Sequence, residues 1–142
     1  MQMSIKKRFK PPQKEQGNKL AAPFDKQEIP PEQQPPTFSL RYLEGEYCIT
    51  KCEKDDQAAF SLKLYRLSKL TWSQIQSQHR HKLGYKKICR DAIKAPIPNF
   101  ITEDVNFIAF RFSGMKPMVG YRDRTVFYVI WLDRNFTLYD HN

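Results

Sequence analysis

The sequence lacks the signatures of several large protein classes. Its longest apolar run falls well short of the about 18 residues that a membrane-spanning helix requires. Neither a G-x-G-x-x-G nor a G-x-x-x-x-G-K-[ST] motif occurs, and no pair of carboxylates stands out as an acid/base couple. We therefore expect no membrane association and no bound cofactor.

Cysteine is scarce, with residues at Cys48, Cys52 and Cys89 only. An odd number of cysteines and an N-terminus without an apolar leader predict a reducing, cytoplasmic location. Cys48 and Cys52 would lie on one face of a strand but too far apart for a disulfide. Zinc would need two more ligands, and His79 and His81 have the wrong spacing for a standard finger. We expect buried or incidental thiols and no metal site.

Carboxylates are nearly absent from the part of the chain where basic residues are most frequent. The formal net charge is +9, and residues 61–102 hold nine Lys/Arg against one Asp, a balance of +8. The stretch 78–90 (QHRHKLGYKKICR) contains five cationic residues and no carboxylate. Such asymmetry predicts a polyanionic partner, nucleic acid first. The alternative is a basic loop that faces solvent or pairs with the acidic residues of 44–56.

Proline is concentrated at the N-terminus, where the first 36 residues hold seven of the ten prolines. Glutamine and lysine fill much of the rest, so this segment cannot bury enough apolar surface to offset its ordering entropy. We predict a disordered tail over 1–36 with polyproline character, and a single globular domain over 37–142.

The first half of the domain is predicted to form a hairpin and two helices. Alternation over 38–42 and a β-prone run at 47–50 indicate the hairpin. Apolar residues at helical spacing predict a helix over about 56–69. Thr71-Trp72-Ser73-Gln74 matches a capping box and predicts a second helix that ends near Gln78. The region 79–98 is expected to be irregular, because glycine and two prolines interrupt it.

The last forty residues predict a meander of three or four strands. Strands are expected over 107–112 and 118–122, and the continuous apolar run 125–132 is typical of a central strand buried on both faces. Residues 136–139 are predicted to form a short final strand. The fold class is therefore α+β, with the helices packed on one face of a mainly antiparallel sheet.

Two groups of side chains are candidates for contact with RNA. The first lies in and beside the basic stretch and is predicted to bind phosphates and bases: Arg80, Lys82, Tyr85, Lys86, Lys87, Arg90 and Lys94. His79 and His81, in the same stretch, can transfer protons near neutral pH. The second group comprises Arg111 and Arg122 on the strands and Tyr139 near the end, where a strand arginine can grip a phosphate bidentately. For each arginine singly, pairing with a nearby aspartate is the alternative.

The segment FIAFRFSGMKPMVGYRDRTVFYVIWLDRNFTLYDH resembles the sheet of RelE/ParE-type bacterial toxins, and is close in size and order to the HigB branch. Val119-Gly120-Tyr121-Arg122 is similar to the family's R-V-x-Y-R-like strand. Residues 126–132 are similar to its hydrophobic strand, and 136–139 to its terminal element. The resemblance covers 105–141. It implies an endoribonuclease that cuts mRNA, often on the ribosome, without metal and with basic residues and a tyrosine or histidine.

The sequence therefore predicts an RNA-directed protein, with a metal-independent endoribonuclease of the toxin type as the leading hypothesis. The candidate catalytic residues are His79, His81, Arg111, Arg122 and Tyr139. RNA, including ribosome-bound mRNA, and a small acidic antitoxin-like protein are the expected partners. The alternative is a non-catalytic basic module that binds nucleic acid or protein, or a subunit of a larger complex.

Overall fold

A computed structural model describes residues 29–79 and 83–141. The chain divides into two units, 1–30 and 31–142, and the elements described belong to the second. They are β1 (Thr37–Ser39), α1 (Lys54–Leu67), α2 (Trp72–Gln76), β2 (Tyr85–Ile88), β3 (Phe107–Ser113), β4 (Lys116–Asp123) and β5 (Val126–Leu132), with 3₁₀ turns at Pro31–Gln33, Gly45–Tyr47, Ile49–Lys51 and Arg90–Ala92. Within the described ranges, no helix has the length and apolar content to cross a membrane.

The five strands form one mixed sheet in the order β1-β5-β4-β3-β2. β1 runs parallel to β5, and the other neighbours are antiparallel. The α+β class and the meander of β3, β4 and β5 are therefore confirmed. The predicted number of strands, three or four, is too low, because β1 and β2 extend the sheet at its two edges.

The predicted N-terminal hairpin is wrong. Residues 47–50, expected as its second arm, form parts of two 3₁₀ turns with Cys48 between them, and Gly45 before them has a φ of +65° that redirects the chain. β1 pairs instead with β5, where Phe38 lies opposite Phe127 and their rings meet edge-on at 6.3 Å. The pairing of β1 with the distant strand β5 therefore takes the place of the predicted local pairing with residues 47–50, whatever their β propensity.

Residues 83–98, the described part of the basic region after His79, are more regular than predicted, and the predicted last strand over 136–139 is not formed. Residues 85–88 pair with β3, with Tyr85 opposite Phe110 and Ile88 opposite Phe107. Residues 136–139 form no strand, because the Asp133 carboxylate accepts hydrogen bonds from their backbone amides. Both differences arise from partners distant in sequence or from a side chain, which strand propensity does not record.

The two helices form close to their predicted positions, and the capping box is confirmed. The Thr71 hydroxyl accepts from the Gln74 backbone N–H at 3.1 Å, and the Thr71 N–H donates to the Gln74 side chain at 2.9 Å. The residues just before β1 contact the start of α2, where the backbone N–H of Trp72 donates to the Gln34 carbonyl at 3.0 Å. The remainder of the predicted tail, 1–28, lies outside the described residues.

Apolar side chains cover both faces of the sheet. On the helix face, Phe60 and Trp72 pack against the sheet residues Phe110 and Phe127. On the opposite face, neither of the two described α-helices packs, and residues of the segments 93–101 and 136–139 cover the sheet instead. We call this the loop face. The prediction that β5 is a central strand buried on both faces is confirmed.

A partly buried ion pair, in which the Lys116 side chain keeps an exposed fraction of 32%, ties α1 to the turn between β3 and β4. Asp56, whose exposed fraction is 6%, accepts hydrogen bonds from Ser113 Oγ at 2.7 Å and from Lys116 Nζ at 2.8 Å. The bond from Lys116 holds the pKa of Asp56 below its usual range, and Asp56 in turn raises the pKa of Lys116. Folding therefore favours the charged carboxylate.

We expect Asp56→Asn to lower the free energy of unfolding at neutral pH by about 1–3 kcal/mol, because it removes a charge-assisted bond at a buried position. A carboxylate with a lowered folded-state pKa stabilises the fold above its unfolded pKa and loses that contribution as pH falls through the folded pKa. Urea unfolding should therefore show the deficit shrinking in acid. Asp55→Asn, an exposed neighbour, is the matched control. An acid-independent deficit would contradict the ion-pair account.

We expect Gly120→Ala to destabilise the sheet by about 3 kcal/mol, the upper end of the usual overpacking cost. A Cβ at Gly120 would lie 1.8 Å from the backbone carbonyl oxygen of Tyr128 in β5, which cannot rotate away. Denaturant unfolding measures the effect. Gly114→Asn is the control, because Gly114 has a φ of +57° that asparagine tolerates and open space around it. Equal stability of the wild type and Gly120→Ala would refute the close packing of β4 on β5.

Candidate functional site

A cavity of about 140 Å³ opens on the loop face beside the end of β3. We call it the β3 cavity. It is lined by Lys86, Ala109, Arg111, Met115, Pro117, Tyr139 and His141. Lys86 and Ala109 lie opposite each other on β2 and β3, and Arg111 is two residues beyond Ala109 on the same face. The strand pairing therefore places two cationic side chains at one opening.

The buried carboxylate of Asp133 positions the C-terminal residues of the cavity. Asp133 is fully buried and accepts from the N–H groups of Thr137 at 2.8 Å and Leu138 at 3.1 Å. Its Oδ2 atom also lies 3.2 Å from His141 Nε2. Because a carboxylate accepts hydrogen bonds, Nε2 is the donor in this contact and Nδ1 is left as the second nitrogen. One side chain thus shapes the turn and orients the imidazole.

Ring contacts restrain the two C-terminal residues of the cavity lining, Tyr139 and His141. The His141 ring lies 4.1 Å from the Tyr139 ring at a 31° tilt, and meets Phe136 edge-on at 5.2 Å. Lys86 Nζ lies 5.5 Å from the centre of the Tyr139 ring. Burial raises the pKa of Tyr139, and the negative charge of Asp133 raises it further. The phenol therefore stays protonated at neutral pH and can donate a proton or a hydrogen bond.

The structure brings Arg111 and Tyr139, two predicted catalytic residues, together with Lys86, a predicted binding residue. It places Arg122 on the helix face, with its guanidinium carbon 4.4 Å from the Trp72 ring centre. His79 follows α2, where its carbonyl accepts from Gly84 N–H, and it is not among the residues that line the β3 cavity. Three predicted residues lie outside the described residues: Arg80, His81 and Lys82.

The cationic side chains of residues 85–94 do not share one face of the sheet. Alternation along β2 puts Tyr85 and Lys87 on the side that Arg122 occupies, and Lys86 on the other. The Arg90 guanidinium donates to two backbone carbonyls of residues 101–102, and Lys94 pairs with Asp140. Over the described part of this stretch, therefore, the charge is divided between two faces and partly engaged by local acceptors.

The Asp133–His141 contact was not found by sequence reasoning. The sequence prediction does not pair Asp133 with His141. The available signal was an aspartate directly after an apolar strand with a histidine eight residues later, and that pattern is common in loops. The contact is recognised only in the structure, where Asp133 is buried and the turn after β5 brings His141 within hydrogen-bond distance of its carboxylate.

Chemically, the β3 cavity combines cations with proton-transfer groups. Arg111 and Lys86 favour an anionic group, Tyr139 offers a proton, and His141 offers a ring nitrogen. Among residues 29–79 and 83–141, no group of three or more His, Cys, Asp and Glu side chains could hold a metal ion. The three cysteines are free thiols.

No protein family, no curated protein and no solved structure matches this chain. The likeness to the RelE/ParE toxins therefore stays a prediction drawn from the sequence. The residues that line the β3 cavity are the observations from which a function can be argued.

We expect Asp133→Asn to release the C-terminal turn. Its amide would turn an N–H donor toward groups that are themselves donors, leaving a buried bond unmade at a cost of about 1–3 kcal/mol. Thermal unfolding measures the loss, and the His141 ring signals in an NMR spectrum should narrow as the ring becomes mobile. Asp140→Asn is the control, because Asp140 is exposed and pairs only with Lys94 among the bonds described. Unchanged His141 signals in Asp133→Asn would contradict the positioning role.

Proposed function

We propose that this protein is directed to RNA and that the β3 cavity cleaves a phosphodiester of the RNA backbone without a metal cofactor. One observation carries the proposal: Lys86, Arg111, Tyr139 and His141 line a single cavity, and a buried carboxylate orients the histidine. The cations suit the phosphate, and the other two groups suit proton transfer. The net charge of +9 favours the approach of a polyanion.

Binding begins with the phosphate at the mouth of the cavity. Arg111 presents a planar fork of N–H donors that matches two phosphate oxygens, and Lys86 adds a compact positive charge. Both groups offset the phosphate charge and become more effective as the phosphorus acquires a fifth oxygen. Their strongest interaction is therefore with the transition state.

Cleavage then needs a base and an acid on either side of the phosphorus. His141 accepts the proton of the ribose 2′-hydroxyl, and the 2′-oxygen forms a bond to phosphorus as the bond to the 5′-oxygen breaks. Tyr139 gives its proton to the departing 5′-oxygen, and its pKa, raised by burial, ensures that the phenol carries this proton at neutral pH. The products are a 2′,3′-cyclic phosphate and a 5′-hydroxyl, and the proton on His141 returns to Tyr139 through solvent.

The sequence hypothesis assigned the acid and base among His79, His81 and Tyr139. The geometry favours His141 as the base in place of His79, because His79 does not line the cavity. The proposal extends, on the resemblance to RelE/ParE toxins, to ribosome-bound mRNA as a substrate in the cytoplasm. A small acidic protein that neutralises the cationic cavity is the corresponding inhibitor.

We expect the purified protein to cleave single-stranded RNA in EDTA, and His141→Gln or Tyr139→Phe to lower the rate about 100- to 10,000-fold, the usual contribution of an acid or base. Gel analysis of labelled RNA measures the rate, and the cyclic phosphate end identifies the chemistry. His79→Gln is the matched control and should cleave as the wild type does.

A parallel assay with translating ribosomes covers an enzyme that cuts only ribosome-bound mRNA. Intact RNA in both assays, with RNA binding retained, would replace the proposal by the non-catalytic binding module. Equal losses in His79→Gln and His141→Gln would remove the β3 cavity from the mechanism.

A further inference from the structure

A second cavity lies between α1 and the turn that joins β3 to β4, and it shares Arg111 with the β3 cavity. We call it the α1 cavity. Its volume is about 250 Å³, and it is lined by Ala59, Leu62, Lys63, Arg66, Arg111, Phe112, Ser113 and Gly114. Three of these described residues are cationic and none is a carboxylate. The described residues of the lining therefore carry charge of one sign.

Helical spacing and strand geometry bring the three cations together. Lys63 and Arg66 are three residues apart in α1, so their side chains are neighbours on the helix surface. Arg111 reaches the same cavity from β3, because α1 packs against that strand.

Lys63 occupies an unfavourable position for a cation. Its exposed fraction is 8%, and burial lowers its pKa to about 8, with the charges of Arg66 and Arg111 lowering it further. A lysine whose folded-state pKa lies below its unfolded value destabilises the fold at neutral pH, where it must be charged. An anion in the cavity would favour the charged form and reverse this effect.

We propose that the α1 cavity binds a phosphate group through Lys63, Arg66 and Arg111. Two guanidinium forks and one ammonium suit the several oxygens of a phosphate better than they suit a single carboxylate. Because Arg111 lines both cavities, the bound group is the phosphate next to the one cleaved, on the same RNA strand. This last identification rests on the proposed function, whereas the phosphate site itself does not.

The first test uses inorganic phosphate and follows the Lys63 side chain by NMR, with Lys63→Met to assign its signal. In chloride the titration midpoint should lie near 8. Sodium phosphate at the same ionic strength should move the midpoint upward. Arg66→Gln should weaken phosphate binding about tenfold, the loss that corresponds to about 1.4 kcal/mol. Lys69→Gln, an exposed cation just past α1 that does not line the cavity, is the matched control.

A midpoint that phosphate leaves unchanged would overturn the inference, as would equal weakening by Arg66→Gln and Lys69→Gln. Arg66 is exposed, so its replacement leaves the core intact. The thermal unfolding temperature of each variant without phosphate checks that the fold is retained.

The second test compares a dinucleotide, which has one phosphodiester, with an oligonucleotide of four residues. Arg66→Gln should lower kcat/KM for the longer RNA and leave the dinucleotide unaffected. A phosphate effect on Lys63 with no RNA cleavage would retain the site and refute the proposed function. Cleavage with no phosphate effect would retain the function and refute the site. Equal losses on both RNAs would show that the α1 cavity does not hold the neighbouring phosphate.

Discussion

The buried carboxylate of Asp133 is the constraint on which the loop face of this domain depends. A buried charge is costly unless hydrogen bonds satisfy it, and Asp133 meets that requirement with two backbone N–H groups and His141. Those bonds curl the chain after β5 back over the sheet, so that Leu138 and Tyr139 become buried where no helix is available. The same side chain therefore completes a core and orients a histidine at a cavity.

A sheet covered differently on its two faces also explains where the charges lie. Helices shield one face, and on that side the Arg122 guanidinium lies against the Trp72 ring. The loop face is covered by short segments that leave an opening, and Lys86 and Arg111 reach it. Arg111 lies at the end of β3, where the two cavities meet, and this position makes it the central residue of both proposals.

Prediction from sequence succeeded where the signal was local and strong. The capping box at Thr71 and the continuous apolar run of β5 each specify one structure through nearby residues alone. It failed where a distant partner decides the outcome. Residues 85–88 form the edge strand β2 by pairing with β3, and β1 pairs with β5 and not with the run at 47–50.

The sequence by itself determined the charge imbalance, the α+β class and the residue types available for contact with a phosphate. It could not determine which of those residues meet. Alternation along a strand sends adjacent lysines such as Lys86 and Lys87 to opposite faces, and a register is known only once the partner strand is known. The tertiary structure alone decided that Arg111, Tyr139 and His141 share a cavity, because that meeting depends on the turn that Asp133 holds.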